Sequence, residues 1–166
     1  MNKIDEQFHN LKVKGEKALI PFFTAGFPSA SKTVEMVRMA EKSGADLVEL
    51  GIPFSDPIAD GPVIQYTSFK AIEAGMNTDR VFGICGDLQK TVSIPYLLMT
   101  YYNLVYRYGL QKFAARCGNM GVSGIIVPDL PYEESCYLKT ALRDYDVKLI
   151  SFMTPFTSEE RAEKIL

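Results

Sequence analysis

The sequence has no tryptophan and a single histidine, His9. One histidine near the start of the chain argues against a histidine-built metal centre and against a Ser-His-Asp triad. Acid–base chemistry then falls to carboxylates, tyrosines or lysines. Cys85, Cys117 and Cys136 are odd in number and show no CxxC spacing, so neither a disulfide framework nor a zinc site is expected, and they read as small buried apolar residues. The formal charge is only −2, which gives no electrostatic case for nucleic acid or an anionic membrane. No apolar run approaches the roughly 20 residues of a membrane span. The opening MNKIDEQFHNLKVKG lacks the apolar core of a signal peptide, so a cytoplasmic protein is expected. Neither GxGxxG nor GxxxxGK[ST] occurs, which removes the usual phosphate-cradling turns of nucleotide-binding sheets.

What is present is an ordinary globular composition, 47% hydrophobic and 23% charged over 166 residues, enough for one domain with a core. Five short, nearly continuous apolar runs stand out: ALIPFF (18–23), DLVELG (46–51), PYLLMT (95–100), VSGIIV (122–127) and VKLISF (147–152). Continuity rather than alternation is the pattern of strands covered on both faces. Helical patterns fall at 31–43 behind a serine, 62–74 after Pro62, 78–90 with Thr78 as cap, 110–117, 132–143 and 158–166. A leading helix at 3–13 would place Ile4, Phe8 and Leu11 on one face and leave His9 on the surface or in packing. The apolar runs start at 18, 46, 95, 122 and 147, intervals suited to repeated βα units. A flavodoxin-like open sheet and a TIM (β/α)8 barrel both fit this pattern. The turn after the first run, TAGFPS, has one glycine, which favours the barrel over a glycine-rich nucleotide sheet. A barrel needs eight strands and about 250 residues. The expectation is therefore a single α/β domain over residues 1–166: a leading helix and the first five βα units of a barrel.

Three carboxylates gather in VELGIPFSDPIADGP (48–62). Glu49 lies inside an apolar run, near the strand end where barrel chemistry sits. Burial would raise its pKa toward neutrality and suit it to proton transfer; the plainer alternative is a structural carboxylate paired with Arg or Lys. Asp56 and Asp60 follow on a loop stiffened by Pro53, Pro57 and Pro62. Asp56 could be a turn residue of Ser-Asp-Pro, and Asp60 could cap the helix opening at Pro62; the loop's departure from the Glu49 strand favours function for both. TYYNLVYRYG (100–109) follows a strand end, so its first tyrosines are expected to line a pocket rather than stack bases. Phe22 and Phe23 are core residues or pocket wall. Asp129, in VPDLP, offers a rim hydrogen bond or caps the following helix.

ALIPFFTAGFP, GADLVELGIPFSDPIADGPVIQ, LLMTYYNLVYRYG and GIIVPDLPYEE together closely resemble the tryptophan synthase alpha chain family, from about residue 16 onward. The resemblance implies a TIM barrel lyase that splits indole-3-glycerol phosphate into indole and glyceraldehyde 3-phosphate by a retro-aldol step, with no metal or organic cofactor. It places the catalytic carboxylates on Glu49 and Asp60. Phe22, Ile64, Met99, Tyr101 and Ile126 fall around the indole, with Tyr102 as the alternative to Tyr101, and Asp129 joins the substrate-binding set. Pro53, Asp56 and Pro57 fall on the surface docking on the beta chain of an alpha2beta2 assembly, whose partner holds pyridoxal phosphate. The family's C-terminal third brings a tyrosine near the catalytic aspartate, a lid loop and a glycine-rich phosphate site. These lie outside this sequence, so the chain alone is expected to be nearly inactive. The alternatives are another phosphate-sugar barrel isomerase or aldolase, and a non-catalytic beta-docking fragment.

Overall fold

A computed structural model describes residues 1–165. Helix α1 (Lys3–Lys14) leads into β1 (Phe22–Thr24), α2 (Ala30–Lys42), β2 (Val48–Gly51), α3 (Pro62–Glu73), α4 (Thr78–Thr91), β3 (Tyr96–Met99) and α5 (Tyr102–Tyr108). Then come α6 (Leu110–Asn119), β4 (Gly124–Ile126), a 3-10 turn at Tyr132–Glu134, α7 (Cys136–Arg143), β5 (Lys148–Ile150) and α8 (Glu159–Ile165). The five strands form one parallel sheet in the order β1-β2-β3-β4-β5. Sequential order with a helical crossover at every step is how a (β/α) barrel wall is laid down.

Register assigns the residues to faces. Phe22, Glu49, Leu97, Gly124 and Lys148 lie level with one another across the sheet, and Thr24, Gly51, Met99, Ile126 and Ile150 form the next level. Successive strand residues point to opposite faces, so both levels look to one side. On that side Ile4, Leu47, Leu97 and Ile126 form a small apolar cluster with Met99 and Ile150. The other face carries Val48, Leu50, Tyr96, Leu98 and Ile125, packed under α2, α4, α6 and α7 through Val37, Phe82, Leu88, Phe113, Ala114, Leu138 and Leu142. This outer layer is the larger core, and burial of each such side chain contributes about 1.5–3 kcal/mol.

Helix α1 closes one end of the inner face. Asn2 accepts the Ile4 N–H at 2.9 Å and donates through Nδ2 to the carbonyls of Ser123 and Asp146. A side chain on Gly124 would lie 2.7 Å from Leu97 and 2.8 Å from Ile4, so the missing Cβ is what admits α1 to this face.

Several sequence expectations shift. The first strand begins at Phe22 rather than residue 18, because Pro21 has no N–H; the Leu19 and Pro21 carbonyls accept from the Asp46 and Glu49 N–H groups, and the Leu19 N–H donates to the Asp46 carboxylate at 2.8 Å rather than to a strand backbone. The cap of α4 is Asn77, which accepts the Arg80 N–H at 3.0 Å, and Thr78 is the first helical residue. Phe8 is exposed while Ile4 and Leu11 are buried, because α1 covers a sheet end and buries only a narrow stripe. The aromatic segment after β3 is a helix, α5, which its dense tyrosines disguise. Cys136 is exposed, unlike buried Cys85 and Cys117, because it opens α7 on the solvent side. Burial pushes the Cys85 thiol up to about 12, so it packs as a small apolar group.

Candidate active site

Glu49 stands on the inner face of β2, level with Phe22 on β1 and Leu97 on β3. Its neighbours are apolar, and burial raises its carboxyl above the usual range, with the negative charge of Asp60 adding to the rise. Asp60 closes the loop that leaves β2. Its carboxyl is also raised, chiefly by burial, and a hydrogen bond from Tyr101 partly opposes that rise. The strand and the loop therefore bring two carboxyls into electrostatic contact at the rim, and both hold protons more tightly than free acids.

The loop is short of freedom. The Ile52 N–H donates to the Met99 carbonyl at 2.8 Å, Ile58 N–H to Asp56 O at 3.0 Å, and Asp60 N–H to Pro57 O at 3.1 Å. Gln65 Nε2 donates back to the Asp60 carbonyl at 2.8 Å. Asp60 does not cap α3: the cap position is Gly61 with no side-chain bond, and Pro62 supplies the preset first turn. Its carboxyl is thus free of backbone duty. Thr24 and Thr67 pair through their hydroxyls at 2.6 Å, which fixes α3, and half-buried Ile64 with it, against β1.

Tyr101 ties the pieces together. It is 1% exposed, its hydroxyl accepts the Ala59 N–H at 3.0 Å, and the same hydroxyl donates toward Asp60. Its ring stacks on Phe54, with centroids 5.1 Å apart and 29° between planes. Tyr102 faces the other way: it packs against the outer core and lies 6.4 Å from the Tyr106 ring. Of the two tyrosines, Tyr101 is the one that reaches Ala59 and Asp60. Met99 and Ile126 sit level with each other on the inner face. Phe22 shares that face and covers Gly51, where a Cβ would come within 2.5 Å of its ring; Phe23 packs into the outer core.

The remaining candidates disperse. Asp129 is exposed, and its Oδ1 accepts the Tyr102 N–H at 2.9 Å, so it caps α5 rather than the helix after it. Asp56 is exposed and Pro57 half-buried, but Pro53 is buried, held under the loop rather than displayed by it. A cavity of about 230 Å³ opens at the ends of β4 and β5 between Asp129, Tyr132, Phe152 and Arg161, with Arg161 held by Glu133 at 2.6 and 3.1 Å; Glu49, Asp60 and Tyr101 do not line it. Sequence reasoning missed Phe54 and the Ala59 amide, since neither residue type at that spacing signals a role. The sheet lysine, Lys148, is the first residue of β5, level with Glu49 across the sheet, and its ammonium pairs with Asp5 at 2.8 Å.

A parallel five-stranded (β/α) wall, with Glu49 on β2 and Asp60 on the loop that follows it, defines the class: a (β/α) barrel protein. Comparison with known proteins gives the family. The tryptophan synthase alpha chain family model matches residues 8–166, and the chain belongs to that family. The tryptophan synthase alpha chain of Methanosarcina barkeri is 48% identical over 164 residues, covering 99% of this chain and 62% of that protein. The crystal structure of tryptophan synthase subunit alpha from Legionella pneumophila superposes with a TM-score of 0.96 at 38% identity, covering 99% of this chain and 63% of that one. A tryptophan synthase structure from M. tuberculosis gives 0.93 at 27% identity, covering 99% and 66%. The chain therefore spans about 62% of the length of the curated relatives it matches.

Proposed function

We propose that this chain carries the acid–base half of an indole-3-glycerol phosphate lyase active site. The observation that carries the reading is the electrostatic pairing of Glu49 with Asp60 at the rim, both with raised carboxyl pKa values. Retro-aldol cleavage needs a proton delivered to the indole carbon that bears the glycerol chain and a proton removed from the adjacent hydroxyl as the carbon–carbon bond breaks. Glu49 enters protonated, gives its proton to the ring carbon, and as carboxylate takes the hydroxyl proton, so the enzyme ends as it began. Asp60, ionised and held by Tyr101, accepts the indole N–H and stabilises the cationic ring formed between the two transfers. Phe22, Ile64, Met99, Tyr101 and Ile126 supply the apolar walls around the indole. The step uses no metal and no cofactor of this chain.

The exposed part of the loop, with Asp56 and Pro57, is assigned to docking on a tryptophan synthase beta chain, which holds pyridoxal phosphate and consumes the indole; the assembly is placed in the cytoplasm. The test is a chimera in which the part of the Methanosarcina barkeri relative beyond the match continues this chain after residue 166. Substrate-dependent indole release from the chimera, rising when a beta chain is added, is the expected result. A folded chimera that releases no indole with or without the beta chain contradicts the reading.

A further inference from the structure

Helix α5 has an awkward start. Its cap residue is Tyr101, whose side chain makes no capping bond and is committed elsewhere, to the Ala59 amide and Asp60. The first helical amide, that of Tyr102, is satisfied from 27 residues away by Asp129 Oδ1 at 2.9 Å. On the other side of Tyr101, the Thr100 N–H donates to the Ile126 carbonyl at 2.9 Å. Tyr101 is thus gripped on both sides by the β4 segment. Its hydroxyl in turn holds the loop from β2. One of the two grips is a backbone bond inside the sheet extension; the other is a single carboxylate on an exposed turn, itself held by the Leu130 N–H to the Val127 carbonyl at 3.2 Å.

We propose that Asp129 is a positioning residue: by capping α5 it holds the Tyr101 hydroxyl between the Ala59 amide and the Asp60 carboxyl, and so couples the loop after β4 to the acid on the loop after β2. Asp129 itself touches neither Ala59 nor Asp60 through any bond described above, and its Oδ1 is occupied by the helix, so it acts on the reaction through Tyr101. The inference rests on the lyase reading only for its consequence to catalysis. Its structural content is tested without substrate, so its failure and that of the lyase reading are separable.

The experiment is residue-resolved water–amide exchange by NMR on the nitrogen-15-labelled protein, comparing Asp129→Ala, Asp129→Asn and Tyr101→Phe. Tyr101→Phe removes the acceptor and speeds exchange at Ala59 by about fivefold, the equilibrium worth of one hydrogen bond of about 1 kcal/mol. Asp129→Ala speeds Ala59 by a similar factor although it removes nothing that touches Ala59, while the core amides of Leu98 and Ile125 keep their rates. Asp129→Asn, whose amide oxygen still accepts from Tyr102, stays near the parent. An Ala59 rate unmoved by Asp129→Ala or by Tyr101→Phe overturns the proposal. So does equal acceleration of Leu98 and Ile125, which marks general loosening, and so does an Asn variant that behaves like Ala.

Discussion

Glu49 stands where its charge is disfavoured. Its folded pKa lies above its unfolded value because burial comes first and Asp60 second. For an acid raised in this way the folded state binds the proton more tightly, so the associated stability is complete below the unfolded pKa, near 4.5, and is lost as pH climbs through the folded one. Glu49→Gln, neutral and nearly isosteric, should therefore raise stability at pH 7 and confer little gain at pH 4, as read from urea midpoints at the two values; a gain equal at both would contradict the assigned cause. Tyr101→Phe removes a hydrogen bond that lowers the Asp60 pKa, and should move the carbon-13 carboxyl titration of Asp60 to higher pH. Glu49 was legible in the sequence because an acid inside an apolar run is expensive unless used. For Asp129 a rim hydrogen bond was foreseen but its partner was not, since Tyr102 lies 27 residues away and no local pattern encodes a cap supplied from another loop.

At the scale of elements, helices with a clear start signal were readable to within a residue or two: α2 behind its Ser29 cap and α3 opening on Pro62. Helix α5 was not, because four aromatic or β-branched residues in seven (Tyr102, Val105, Tyr106 and Tyr108) carry little propensity signal, and because its start depends on a distant carboxylate. Asn77→Ala should cost about 1 kcal/mol, the usual worth of such a cap, seen as a lower urea midpoint with an unchanged slope. Gly124→Ala crowds Leu97 and Ile4 at 2.7 and 2.8 Å and should cost about 1–3 kcal/mol by overpacking, with the loss concentrated where α1 meets the sheet. An unchanged midpoint for Gly124→Ala would mean that α1 does not sit against β4.

At the scale of the molecule, strand order and parity place Glu49, Phe22, Met99 and Ile126 on one face, and the loop after β2 returns Asp60 toward Glu49, which is why a continuous-strand pattern and a proline-rich loop sufficed to foresee a barrel rim. The face is only partly covered. β1 and β5 each pair on one side among the described residues, and Leu19, just before β1, and Phe152, just after β5, are exposed; unpaired edges with apolar neighbours favour self-association. Sedimentation velocity should show mass rising with concentration, and Leu19→Lys with Phe152→Lys should return the protein toward monomer. The central claim is that Glu49 moves the protons of carbon–carbon cleavage, and the most direct measurement is indole release by the chimera with and without Glu49→Gln. The account predicts a fall of at least about a hundredfold in kcat, the low end of what positioned acid–base groups contribute, with the fold retained. Turnover by the Gln variant within a few-fold of its parent would contradict it.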